Sequence, residues 1–221
     1  MVREKRLRID FIPQFIAHPG GNFAQFEPIH AIVISMKQKK PEAHERKSKQ
    51  PEAKTRNVIL CGFMATGKSS VGRRLAEVLG YDFLDMDAAI EAEESISIPQ
   101  IFSSRGEPAF RELESRMVDR IAKQNRHVIA TGGGTVVNPV NLEKLKRCGI
   151  LINLTADVQT ILSRAGSGDD RPMLRAADRE ERIRSLMERR AHAYAQADFS
   201  IDTSSLTVDE VVQLIADRMN Q

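Results

Sequence analysis

The run Gly62-Phe-Met-Ala-Thr-Gly-Lys-Ser69 follows the pattern G-x-x-x-x-G-K-[ST]. In such a loop, backbone N–H groups converge on phosphate oxygens, and the N-terminus of the next helix adds the positive end of its dipole. Lys68 is then placed to reach the β- and γ-phosphates of ATP, and the Ser69 hydroxyl to ligate Mg²⁺. The expected nucleotide-binding residues here are Gly62, Ala65, Thr66, Gly67, Lys68, Ser69 and Ser70. Further on, Phe83-Leu-Asp85-Met-Asp87 sets two carboxylates at i and i+2, which point the same way along a strand. Asp85 can hold Mg²⁺ through water, since that ion gives up its waters reluctantly. Asp87 can accept the proton of an attacking hydroxyl, or, standing before Ala88-Ala-Ile-Glu91, can simply cap a helix. Gly132-Gly-Gly134 ends another apolar run, and glycines there let backbone approach a ligand closely. Arg111, Arg171 and Arg190 suit the gripping of a carboxylate or phosphate, although an arginine on a helix can equally be a solvated surface residue. Arg171, in Gly166-Ser-Gly-Asp-Asp-Arg171-Pro, lies on a stretch that reads as a mobile flap able to bring a positive charge to the phosphates.

These residues need a scaffold that delivers loops to one edge. From Asn57 onward, short apolar runs alternate with amphipathic stretches, the signature of βαβ units and a parallel sheet. Strands are expected at Val58–Cys61, His127–Thr131 and Ile150–Leu154, with weaker ones at Phe83–Leu84 and Phe199–Ile201. Helices are expected at 68–79, 88–93, 98–103, 109–124, 140–146, 158–164, 179–195 and 208–218. The ligand crevice of an open α/β sheet lies at the carboxyl ends of its strands, and each candidate loop follows a strand.

Residues 1–56 form a separate N-terminal extension ahead of a kinase-like domain at 57–221. Within it, 37–56 holds eight Lys or Arg against three Glu and no large apolar residue, so it reads as a flexible basic linker, and Met36 offers an internal start. Such a run is ordinarily just solvated, and a net charge of +3 is too weak to argue for nucleic acid or a membrane surface. No apolar run reaches the length of a membrane span, and no apolar stretch of a signal peptide follows the first basic residues. Cys61 and Cys148 sit in apolar stretches and are expected to be reduced thiols of a cytoplasmic protein, with a monomer as the acting unit.

Taken together, GFMATGKSSVGRRLAEVLG, FLDMD, EPAFRELE, ATGGGTV, RPML, the R-x-x-x-Y of Arg190–Tyr194 and IDTSS resemble the shikimate kinase family in order and spacing, over about 57–221. The resemblance implies a P-loop three-layer α/β fold with a five-stranded parallel sheet, flanking helices and a mobile lid. It implies the reaction of ATP with shikimate to give ADP and shikimate 3-phosphate, in aromatic amino-acid biosynthesis. Asp87, Arg111, Gly132, Gly133, Gly134 and Arg190 match the family's shikimate-binding positions, with Asp87 orienting the attacking hydroxyl and both arginines clamping the carboxylate. Arg171 matches the lid arginine, Arg164 lies near the family's adenine-stacking arginine, and Asp202–Ser205 matches the adenine loop. The chain departs from the family at Ala65, usually glycine, at His192, usually proline, and at Met173, commonly leucine. Other readings are a kinase for another acceptor, such as gluconate or a nucleotide, and a nucleotide-binding regulatory module without transfer activity.

Overall fold

Asn57–Cys61 (β1) is an uninterrupted apolar run apart from its first residue, and all of it is buried. Such a strand belongs at the centre of a parallel sheet covered on both faces. The computed structural model describes residues 56–165 and 179–219 and places β1 there, between His127–Ala130 (β3) and Gly149–Thr155 (β4). Asp82–Asp85 (β2) flanks β3 and Phe199–Asp202 (β5) flanks β4, giving a five-stranded sheet in the order β2-β3-β1-β4-β5 with every pairing parallel. The weak apolar runs at 83–84 and 199–201 are thus the two edge strands, where fewer apolar residues suffice.

Alternation along the strands divides the core. Ile59 and Cys61 of β1 face one cluster and Val58 and Leu60 the other. Lys68–Leu79 (α1) and Val208–Met219 (α7) cover the second face through Val71, Leu75, Val211, Val212 and Ile215. Met86–Glu94 (α2), Ile98–Ile121 (α3), Pro139–Cys148 (α4), Val158–Arg164 (α5) and Arg179–Tyr194 (α6) complete the other. Burial pushes the Cys61 thiol up to about 12, so it stays a neutral core group.

The helices expected at 98–103 and 109–124 are one helical run broken at Gly106, whose φ of 79° and ψ of 169° interrupt it just ahead of Pro108. Met86–Glu94 begins two residues earlier than the apolar pattern implied, because Asp85, not Asp87, is its N-cap. No helix among the described residues is long and apolar enough to cross a membrane. Residues 37–55 of the proposed basic linker and the flap carrying Arg171 and Met173 lie outside the described residues.

Candidate active site

The phosphate loop joins β1 to α1, as its pattern required. Gly62 has a φ of 132°, and a Cβ there would lie 2.2 Å from the Leu154 carbonyl oxygen, so the chain can leave the sheet here only as glycine. Lys68 Nζ donates to the carbonyls of Gly62 at 3.0 Å and Phe63 at 2.7 Å, which pins the ammonium over the loop. Thr66 is buried, with its hydroxyl donating to the Phe63 carbonyl at 2.9 Å. The first turn of α1 has neither a side-chain cap nor an acidic residue, so its N–H groups and dipole meet an anion without internal competition.

Ala65, where the family usually has glycine, has a φ of 61°, in the left-handed region that favours glycine. The left-handed region costs a non-glycine residue about 1–2 kcal/mol, part of which glycine returns as unfolded-state entropy. Ala65→Gly is therefore expected to stabilise the protein by about 0.5–1 kcal/mol, a rise of roughly 2 °C in a thermal melt. An unchanged or lower melting temperature would contradict this.

Of the two carboxylates at the junction of β2 and α2, Asp85 takes the capping role that was left open for Asp87. Asp85 Oδ1 accepts from the N–H groups of Asp87 at 3.1 Å and Ala88 at 3.3 Å, so capping belongs to Asp85. Its Oδ2 accepts the Ser69 hydroxyl at 2.5 Å, across the mouth of the phosphate loop. Asp87 lies inside the first turn, free of capping duty, and its Oδ1 is buried with no hydrogen-bond partner among the described residues. Burial is the main cause that pushes its carboxyl up to about 6, opposed by Lys68 and reinforced by Asp85, Glu114 and Glu91. An orphaned, desolvated carboxylate is costly in a folded protein and marks a functional site.

Arg111 follows the break in α3. Its Nε and Nη2 donate to Glu107 Oε1 at 3.1 and 2.8 Å, and its Nη1 donates to Glu114 Oε2 at 2.6 Å. The second Glu114 oxygen accepts the Thr135 hydroxyl at 2.6 Å, and both residues are buried. Glu114 had no role in the sequence reading, yet it fixes the guanidinium from inside. Its position three residues after Arg111, beside the apolar Leu113 and Met117, is the signal that could have found it.

The glycine triplet packs between these groups. A Cβ on Gly132 would lie 2.7 Å from Glu114 Oε1 and 2.8 Å from Asp87 Oδ1, and one on Gly134 would lie 2.5 Å from Arg111 Nη1. On the other side, the Gly133 carbonyl accepts from Arg190 Nη1 at 3.0 Å and the Tyr194 hydroxyl at 2.6 Å. Burial pushes the Tyr194 hydroxyl up to about 12, so it remains a donor. His192 is exposed on α6 and hydrogen-bonded to Gln196, so histidine in place of proline leaves the helix unbroken.

One cavity of about 910 Å³ is lined by residues 64–70, Asp85, Asp87, Arg111, Glu114, residues 132–134, Arg164 and Arg190. The structure thus gathers the expected site residues that it describes, apart from Gly62 and, in the expected adenine loop, Asp202, Ser204 and Ser205; of that loop only Thr203 lines the cavity. Arg164 donates from Nη1 to the Thr203 hydroxyl at 2.9 Å and from Nη2 to the Thr203 carbonyl at 2.6 Å. Apolar side chains, among them Ile98, Phe102 and Phe110, line the cavity beside Arg111. The Ser69 hydroxyl and Asp85 carboxylate are two hard oxygens side by side at the phosphate loop, a donor set that fits Mg²⁺ retaining most of its waters.

The chain matches the family model described as shikimate kinase over residues 64–220. It is 43% identical over 160 residues to the shikimate kinase of Thermodesulfovibrio yellowstonii, covering 72% of this chain and 92% of that protein. Against the shikimate kinase of Geobacter metallireducens it is 46% identical over 157 residues, covering 71% and 88%. Among solved structures it resembles the shikimate kinase from Acinetobacter baumannii in complex with shikimate, with a TM-score of 0.72 at 35% identity over 74% of this chain and 92% of that one. The enzyme from Aquifex aeolicus gives a TM-score of 0.64 at 32% identity over 74% and 96%. The order of motifs, the sheet topology and these likenesses agree: this chain belongs to the shikimate kinase family.

Proposed function

We propose that this chain transfers the γ-phosphate of ATP to a hydroxyl of shikimate, with Asp87 orienting the attacking hydroxyl and Arg111 and Arg190 holding the carboxylate. The observation that carries this reading is the buried Asp87 carboxylate whose Oδ1 lacks a partner in the cavity shared with the phosphate loop, Arg111 and Arg190. A hydroxyl donating to that oxygen would satisfy it and turn the hydroxyl's lone pair toward the phosphorus. Lys68, the α1 N-terminus and Arg171 would neutralise charge on the transferring phosphoryl group. Ser69 and, through water, Asp85 would hold Mg²⁺, which would supply positive charge to offset the repulsion of the phosphates. Arg164 would bind the nucleotide's base. The apolar wall of Ile98, Phe102 and Phe110 would receive the hydrocarbon face of the acceptor and exclude water.

Each of these assigned side chains within the described residues belongs to one cavity, which supports the single chain as the acting unit. In this reading residues 57–221 form the kinase domain and 1–56 an extension outside the reaction. Buried, unbridged Cys61 suits a reducing cytoplasmic setting. ADP release measured with shikimate, gluconate or a nucleoside monophosphate as acceptor tests the function. Release that depends on shikimate supports it, and faster release with either rival acceptor overturns it. Repeating the assay on a chain beginning near Thr55 tests whether the extension is dispensable.

Gly134→Ala tests the carboxylate clamp. The added methyl meets Arg111, whose guanidinium is held by two glutamates and cannot retreat without breaking one of those bonds. We expect the KM for shikimate to rise about tenfold or more, the worth of a hydrogen bond to a charged group, with the KM for ATP changed by less than about twofold. Equal effects on both substrates would count against the clamp.

A further inference from the structure

We infer that Thr203 is a positioning residue for the nucleotide, holding the Arg164 guanidinium in a fixed plane at the base end of the cavity. Arg164 is the last residue of α5 and is exposed, and such an arginine ordinarily samples many rotamers. Here both ends of its fork grip one residue: Nη1 donates to the Thr203 hydroxyl and Nη2 to the Thr203 carbonyl. Two bonds to one partner fix the plane as well as the position of a guanidinium.

Thr203 itself is immobilised. It is 3% exposed, its N–H donates to the Thr155 carbonyl at 2.9 Å, and its hydroxyl lies 3.0 Å from that carbonyl and 3.2 Å from the carbonyl of Thr66. A hydroxyl has one proton, so it donates to one of these carbonyls at a time while accepting from Arg164. Thr155 ends β4 and Thr66 belongs to the phosphate loop. One side chain therefore joins the carboxyl end of β4, the phosphate loop and Arg164. Arg164 and Thr203 line the same cavity as Lys68 and Ser69. Flat arginine planes stack well on aromatic bases, and pre-organising the plane removes an ordering cost from binding.

The inference rests on the assignment of Arg164 to the base, and the experiment separates the two. ADP and inorganic tripolyphosphate are titrated calorimetrically into the full chain and into Thr203→Val, Thr203→Ser, Arg164→Ala and the Thr203→Val/Arg164→Ala double variant. Loss of the hydroxyl in Thr203→Val is expected to weaken ADP about tenfold, with tripolyphosphate changed by less than about twofold. Thr203→Ser, which keeps the hydroxyl, should restore ADP affinity. The double variant should bind ADP no more weakly than Arg164→Ala alone, because both changes remove one interaction. Equal weakening of ADP and tripolyphosphate would mean that Thr203 acts on the phosphate loop instead. Additive losses, or unchanged ADP affinity in a less stable Thr203→Val, would also overturn the inference. If Arg164→Ala leaves ADP affinity unchanged, the base assignment falls and this inference with it, whereas shikimate-dependent ADP release by the unaltered chain remains a separate measure of the kinase reading.

Discussion

Replacing Asp87 by asparagine is expected to cut turnover about 10²- to 10⁴-fold, the usual worth of a positioned general base, while ADP affinity stays within about threefold. The asparagine keeps the size of the side chain but cannot take a proton. Single-turnover measurement with shikimate and ATP reads the loss, and near-normal turnover would remove Asp87 from the mechanism. The same substitution should raise stability. The carboxyl ordinarily releases its proton at 3.8, and in the folded protein burial above all moves this to about 6. The folded state thus holds the proton more tightly. Stability gained from the protonated group is present below pH 3.8 and lost as pH rises through about 6. At neutral pH the ionised carboxylate then costs on the order of 2–3 kcal/mol, which Asp87→Asn largely removes, so the thermal midpoint should climb by several degrees. A variant that is both more stable and nearly inactive is the pattern of a site strained for function. In the unaltered protein kcat/KM for shikimate should rise with pH to a plateau above about 6, and Asp87→Asn should abolish that acid limb.

Lys68→Met carries the second large effect. Removing a cation aimed at a transferring phosphoryl group should lower kcat/KM for ATP about 10²- to 10³-fold. A further consequence is specific to this structure. Burial raises the Asp87 pKa and Lys68 is the main group opposing the rise, so losing Lys68 should move the acid limb of the remaining activity above about 6. A limb that stays where it was would deny that the two side chains share one electrostatic environment. Far-ultraviolet circular dichroism on the variant checks that the loop, whose Gly62 and Phe63 carbonyls lose the ammonium, has not carried the fold with it.

Where structure and sequence reading part, the cause is visible in particular residues. Apolar periodicity located every described strand and α-helix to within a few residues but missed the short 3-10 turn Thr135–Val137, and it put Asp87 ahead of α2, because Met86 at the first helical position looks like the end of the strand pattern. The hydrogen bonds of Asp85 correct this, and in doing so they free Asp87 for chemistry. Glu114 escaped notice since a glutamate in a helix is usually solvated. Only the arrival of Thr135 beside it shows that the carboxylate is enclosed. Thr203 is a plain threonine until Arg164, Thr66 and Thr155 are brought to it.

By itself the sequence determined the parts whose physics is local. The phosphate loop, its lysine and serine and the alternation of strands with amphipathic helices all depend on residues within one turn or one loop of each other. Tertiary structure alone decided which groups meet. Arg190 reaches a carbonyl 57 residues away, and the Thr203 hydroxyl one 137 residues away. Those encounters follow from the strand order β2-β3-β1-β4-β5, which sets the ends of β1, β2 and β3 around one crevice and withdraws Asp87 from water. Desolvation and electrostatic coupling depend on what surrounds a group in space, and no spacing along the chain encodes that directly.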